Sequence, residues 1–217
     1  MPIQGQFCGG IHPCRRCPWA ACYQMRPSWI RDWISCLPSH WDLLDHVIGY
    51  LLKTRHRSIH LRLCTLSLSL WSDAGWGGDL EPSQTGFMIK LGNAPILWGS
   101  KLQSVVALST CATEYIALSN LTKHLVQTIN QLGQLTGNFE KTIHRNNQAA
   151  VQVLIDNKFQ KRMRYLDCAF FFVNDTIRKH DIKVVWVKTA DMQADALTKW
   201  LLGPTLLQAL PFLGING

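Results

Sequence analysis

Apolar residues recur at helical spacing through Trp41, Leu44, Val47, Ile48, Leu51 and Leu52, directly after Ser39 and Asp42, a Ser-x-x-Asp helix start. The pattern predicts an amphipathic helix from Ser39 to about Lys53. Beyond Ser58 the period shortens. Leu61 and Leu63, then Leu66, Leu68 and Leu70 alternating with Ser67 and Ser69, predict strand as far as Trp71-Ser72-Asp73. Ala74 to Ser83 reads as a Gly- and Pro-containing loop, and two strand candidates, Gly86 to Leu91 and Pro95 to Lys101, flank the turn Gly92-Asn93 as a hairpin. Thr110 to Leu135 is predicted as a long helix with the stripe Leu118, Leu121, Leu125, Ile129 and Leu132, ending at Gly137. A short strand around Thr142 to His144 precedes a helix carrying Ala149, Ala150, Val153 and Leu154. An aromatic helix from Tyr165 to Ile177, a strand from Ile182 to Val187 and a final helix from Met192 to Leu202 complete the series. Strands followed by alternating helices and strands predict an α/β layered domain with a mixed sheet over about residues 60–202. Residues 1–38 follow neither period and remain an unassigned Cys-, Trp- and Arg-rich leader; residues 203–217 form a C-terminal tail.

With 217 residues, 47% of them hydrophobic, the chain is long enough to bury a core, which excludes a disordered tail or a stapled mini-protein. No apolar run approaches the roughly 18 residues of a membrane helix, and the first residues lack a charged stretch followed by an apolar one. A soluble protein is expected, cytoplasmic or nuclear and not secreted, and its eight cysteines are read as reduced thiols. The formal charge of +8 favours a polyanionic partner such as nucleic acid. Lys158, Lys161, Arg162 and Arg164, ahead of the aromatic helix, are candidate phosphate contacts, whereas Lys53 to Arg57 reads as a solvated helix end. Cys14 and Cys17 have the spacing of a zinc knuckle pair, with Cys8, His12 and Cys22 nearby. A second pair is missing, and a leader with free thiols is the competing reading.

Three carboxylates stand apart from ordinary surface charge. Asp73 closes an apolar strand before a loop, where α/β sheets present functional side chains, although a turn-capping Asp would look the same. Glu114 lies four residues before Leu118 and seven before Leu121, so it heads the buried stripe of its helix. A carboxylate there is costly unless a cation or donor meets it. Asp195 is placed near the start of the last helix, where dipole compensation is the plainer explanation. Together the three form a set of hard oxygen ligands suited to divalent metals and phosphoryl chemistry.

Four blocks then carry a resemblance. They are Ser72-Asp73-Ala74-Gly75-Trp76-Gly77-Gly78-Asp79, Ser83-Gln84-Thr85-Gly86-Phe87, Trp98-Gly99-Ser100-Lys101-Leu102-Gln103 and Ala107-Leu108-Ser109-Thr110-Cys111-Ala112-Thr113-Glu114-Tyr115. In order and spacing they resemble the ribonuclease H region of copia-type LTR retrotransposon Pol polyproteins, and Ala190 to Lys199 resembles that family's closing motif. The helix around His40-Trp41 resembles the end of the preceding reverse transcriptase part, so the likeness covers roughly residues 39–213, with residues 39–59 as the reverse transcriptase tail. The resemblance implies a ribonuclease H-like fold that hydrolyses the RNA strand of RNA–DNA hybrids with two Mg2+ ions, Mn2+ being the substitute, and a partner in the rest of a reverse transcriptase. It implies metal-ligand roles for Asp73, Glu114 and Asp195, and puts the fourth catalytic position at Asn146, where the family has Asp in Cys-Asp-Asn-Gln. Here the block reads Ile143-His144-Arg145-Asn146-Asn147-Gln148, with Arg145 at the small Cys position. Tyr165 and Phe171 stand where the family commonly has histidines, while Asp167 and Phe172 are kept. An amide carries no charge to bind a divalent ion, so the expectation is impaired activity in a truncated or decayed copy. The alternative is a non-catalytic remnant that binds nucleic acid non-specifically.

Overall fold

A computed structural model describes residues 38–61, 64–77, 82–107, 109–136, 139–156, 167–199, 201 and 203–216. Helix α1 (Pro38–Thr54) and the short strand β1 (Ser58–Ile59) precede β2 (Ser67–Gly75), β3 (Gln84–Leu91) and β4 (Ala94–Leu102). There follow α2 (Thr110–Thr136), β5 (Glu140–Arg145), α3 (Gln148–Asp156), α4 (Asp167–Lys179) and β6 (Lys183–Trp186). Two 3-10 turns, Thr189–Asp191 and Gln193–Leu197, lead to α5 (Gly203–Ala209) and β7 (Ile215–Asn216).

The five-stranded sheet has the order β4-β3-β2-β5-β6. Its first three strands are antiparallel, while β5 runs parallel to β2 and β6 parallel to β5. The strand alternation read from the sequence decides the faces. Leu68, Leu70, Phe87, Ile89 and Ile143 point to one side, where they meet Leu118, Leu121 and Leu125 of α2 and Phe170 and Val173 of α4. Each such side chain contributes about 1.5–3 kcal/mol on burial. On the other side Trp71 and Met88 pack with Met192 and with Ala194 and Leu197 of the second 3-10 segment.

The hairpin falls where Gly92-Asn93 predicts it, with Leu91 opposite Ala94, and Gly92 has a φ of 58° that a glycine takes without steric cost. The final segment differs from the predicted Met192–Leu202 helix. Ala194 and Leu197, three apart, are both buried in a 3-10 turn, which stacks residues three apart. Gly203-Pro204 then opens a separate helix, α5, whose first turn suits a proline that lacks an N–H. Strand β2 also outlasts its prediction: Asp73 lies within it, since pairing with β3 continues to Gly75 opposite Gln84. Of the expected strand positions Leu61 and Leu63, Leu61 lies outside a strand and Leu63 lies outside the described residues, while Ser58–Ile59 forms a short strand that pairs antiparallel with Ile215–Asn216. Leu201, Leu206, Ala209 and Leu210 form a small core of their own.

Helix α1 is amphipathic as predicted, with Val47 buried. Trp41, Leu44, Ile48, Leu51 and Leu52 remain exposed among the described residues. No described helix is long and apolar enough to cross a membrane.

Candidate active site

Four elements bring the predicted site residues to one place beside the centre of the sheet. Asp73 sits on the central strand β2 and is only 2% exposed. Glu114 is held in the first turns of α2, whose start is fixed by Ser109: the Ala112 N–H donates to its Oγ (3.1 Å) and the Thr113 N–H to its carbonyl (3.0 Å). Asn146 follows the last residue of β5, directly before Asn147, whose Oδ1 accepts the Ala150 N–H (3.0 Å) and so caps α3. The Trp186 indole pins the Asn146 carbonyl from β6 (3.0 Å). Asp195 arrives on the second 3-10 turn, not on a helix start as the sequence suggests.

The approach of that turn depends on two glycines of the sheet. A Cβ on Gly75 would stand 2.8 Å from the Thr198 carbonyl oxygen, and one on Gly86 would stand 2.6 Å from Thr198 Cγ2 and 2.9 Å from the Ala194 carbonyl oxygen. Without side chains there, Thr198 settles against β2 and donates its hydroxyl to Asp73 Oδ2 (2.6 Å). The other oxygen of Asp73 accepts from Asn146 Nδ2 (3.4 Å). Asp195 pairs with Lys199, four residues on.

Glu114 meets a cation from beneath. Arg145, fully buried, donates from Nη2 to Glu114 Oε2 (2.7 Å), from both Nη atoms to the Glu114 carbonyl (3.2 Å each), and from Nη1 to Ser72 Oγ (2.8 Å). Burial pushes the Glu114 carboxyl up, to about 7, with the Arg145 guanidinium pulling down and Asp73 pushing up. Burial likewise raises Asp195, opposed by Lys199 and reinforced by Asp73. Like-charged carboxyls raised together in one recess are what a site built around added positive charge looks like.

A pair of divalent ions does not fit this donor set as it stands. Asp73 has both oxygens engaged by protein donors, Glu114 is paired with the buried Arg145, and Asp195 is paired with the exposed Lys199. Three carboxylates against Arg145 and Lys199 leave one net negative charge, which two divalent ions would overwhelm. Asn146 turns its donor toward Asp73, while its buried Oδ1 has no partner. Among the described residues no three His, Cys, Asp or Glu side chains are gathered closely enough to hold an ion.

Sequence reasoning missed the polar scaffold around the centre. Gln103 donates from Nε2 to Thr85 Oγ1 (3.0 Å) and to the Thr113 carbonyl (2.9 Å), tying the hairpin to the first turns of α2 beside Glu114. Ser100 donates to the Leu197 carbonyl (2.6 Å), tying β4 to the segment carrying Asp195. All lie within the quoted motif blocks, so the signal was present, though nothing in spacing revealed the pairings. Thr198 was likewise visible only as a motif letter. Lys158, Lys161, Arg162 and Arg164, and the Cys14–Cys17 pair, lie outside the described residues.

The fold is matched by solved structures. The ribonuclease H1 called LC11, isolated from compost, superposes with a TM-score of 0.52 at 16% identity, over 65% of this chain and 99% of that one. An N-terminal ribonuclease H domain from Mycobacterium tuberculosis superposes at 0.50 and 14% identity, over 68% and 98%. The structure is therefore a ribonuclease H-like fold, a mixed sheet flanked by helices with a helical extension at its N-terminal side. In sequence, the chain is 33% identical over 165 residues to the retrovirus-related Pol polyprotein from transposon RE2 of Arabidopsis thaliana, and 31% identical to that from transposon RE1 of the same plant. It belongs with these copia-type retrotransposon Pol polyproteins; the matches take in 74% of this chain and 11% of each relative's length. A further relative, secreted RxLR effector protein 161 of Plasmopara viticola, is 40% identical over 92 residues, 41% of this chain and 65% of that protein. No protein-family model matches the chain.

Proposed function

We propose that this chain is the ribonuclease H-like domain of a retrotransposon polyprotein, directed at the RNA strand of RNA–DNA hybrids, with hydrolysis impaired at its own acidic centre. The observation that carries the reading is the mutual approach of Asp73, Glu114, Asn146 and Asp195: Asn146 bonds Asp73, and the Asp73 charge acts on both Glu114 and Asp195. Support for the substrate comes from a solved relative in fold, LC11 ribonuclease H1, whose structure was determined in complex with an RNA/DNA hybrid. Recognition of such a hybrid rests on 2′-hydroxyls and groove shape, not on base sequence. Magnesium, or manganese in its place, is the ion a centre of this class takes; here the amide of Asn146 supplies no charge to hold it. The basic residues Lys158, Lys161, Arg162 and Arg164 are assigned to phosphate contact, with salt-sensitive affinity.

A second reading, a remnant that binds hybrid without cutting it, is favoured by the internal pairing of Glu114 with Arg145 and of Asp195 with Lys199. A cleavage assay on a labelled hybrid with magnesium or manganese separates the two. Slow cleavage that disappears in Asp73→Asn supports the impaired enzyme. Hybrid binding with no cleavage in either protein supports the remnant. Restored cleavage in Asn146→Asp assigns the impairment to the missing carboxylate.

A further inference from the structure

Arg145 is the largest fully buried side chain in the described structure, and no apolar core needs it. Taking a guanidinium out of water costs several kcal/mol unless its donors are met. Here Nη1 and Nη2 are met by Glu114 Oε2, the Glu114 carbonyl and Ser72 Oγ, while Nε has no partner. Each acceptor lies on an element that frames the acidic recess: Glu114 on α2, Ser72 beside Asp73 on β2. The cation is therefore not a solvated neighbour of the site. It is bonded into the site, on the Glu114 carboxylate.

We propose that Arg145 acts as a tethered cation on Glu114, replacing by a guanidinium the positive charge that a divalent ion would bring and thereby setting the low metal affinity of this centre. The inference rests on the ribonuclease H-like reading of the site, and goes beyond it by making Arg145, rather than Asn146 alone, the barrier. Two features make Arg145 the stronger obstacle. A tethered cation is held on the carboxylate intramolecularly, so a free ion must displace it and cannot simply fill an open position. Moreover, Arg145 holds Oε2 by a charge-assisted bond and is itself anchored on the Glu114 carbonyl and Ser72 Oγ, so a metal must displace a fixed, buried cation before Oε2 becomes available. Restoring a carboxylate at position 146 leaves that obstacle in place.

The test is manganese binding, followed by calorimetric titration and by the metal-dependent change in Tm, in the full chain and in Arg145→Met, Asn146→Asp and the double variant. Methionine keeps most of the volume of the arginine stem and removes the charge. The expected result is weak binding in the parent and in Asn146→Asp, with a gain of about 10- to 100-fold on adding Arg145→Met to Asn146→Asp. Manganese binding by Asn146→Asp equal to that of the double variant would overturn the proposal. Should Arg145→Met not fold, the parent chain still decides: the Arg145 side-chain NH signals, assigned by their loss in Glu114→Gln or by residue-selective labelling, are expected to stay unmoved as magnesium is added, and displacement by magnesium overturns the tethered-cation role. Failure of the underlying reading gives a different signature. A folded double variant whose manganese binding is insensitive to Asp73→Asn would show that the recess is not a metal centre at all.

Discussion

Lys90, on β3, is a buried lysine outside the acidic recess, and burial pushes its amine down to about 8 from 10.5. A lysine lowered on folding opposes the folded state while it is charged. Stability should therefore rise as pH increases from about 8 toward 10.5, and the burden is fully present at neutral pH. Screening by nearby solvent holds its size below about 3 kcal/mol. Lys90→Met is expected to raise the denaturation midpoint at pH 7 and to flatten the pH dependence above 8; an unchanged midpoint and slope would show that the amine reaches water. Buried charges divide what the sequence could reveal at this scale. Glu114 was legible because it breaks a helical apolar stripe, and Asp73 because it stands at the end of an alternating one. Arg145 was recognisable as out of place in its motif, but its burial and bonding to Ser72 and Glu114 depend on partners 73 and 31 residues away, which no local period encodes.

Among the elements, the 3-10 segment from Gln193 to Leu197 has the most to lose from a small change elsewhere. Gly86 is covered by Thr198 Cγ2, the Ala194 carbonyl and Leu197 Cβ, all within 2.9 Å of where a Cβ would stand. Gly86→Ala must push the segment off the sheet, at a cost of about 1–3 kcal/mol by overpacking. It should also lengthen the Thr198–Asp73 hydrogen bond of 2.6 Å, so a loss of stability accompanied by altered manganese binding is expected. Gly133 of α2, where a Cβ would meet nothing within 4 Å, is the matching control: Gly133→Ala should be neutral or stabilising. Chemical denaturation of both variants checks the contrast. The same segment explains why the last predicted helix failed. Apolar residues at spacings of three fit a 3-10 turn as well as an α-helix, and only contact with glycines more than a hundred residues earlier favours the tighter turn. Helix α2 and the hairpin, by contrast, carry their own start, stripe and turn signals, and their observed bounds lie within a few residues of the predicted ones.

For the molecule as a whole, helix α1 is the element whose apolar side is least accounted for: Trp41 and Leu52 are 59% and 62% exposed. Exposed apolar stripes of this kind drive association. The isolated chain is expected to self-associate in a concentration-dependent way, and the pair Leu44→Glu and Ile48→Lys to shift it toward monomer without loss of fold, as read by sedimentation velocity and circular dichroism. In the longer relatives, of which this chain spans 11%, polypeptide from the remainder of the polyprotein is available to cover that stripe. The layered sheet was legible because strands and helices alternate in sequence as they do in space. The covering of α1 was not, since an amphipathic helix announces a buried face without naming what buries it.

The antiparallel pairing of Ser58–Ile59 with Ile215–Asn216 gives the chain a topological property of its own. The segments at residues 58–59 and 215–216 lie side by side, so the part of the fold between them begins and ends at one place, as if at a single doorway. A unit closed in this way can be spliced into a longer polypeptide as a cassette, because its host need bridge only a strand-to-strand gap. It also tolerates rewiring. Joining residue 216 to residue 58 through a short linker, with residues 1–57 removed and the backbone opened at Gly92-Asn93, should yield a circular permutant that reaches the same sheet.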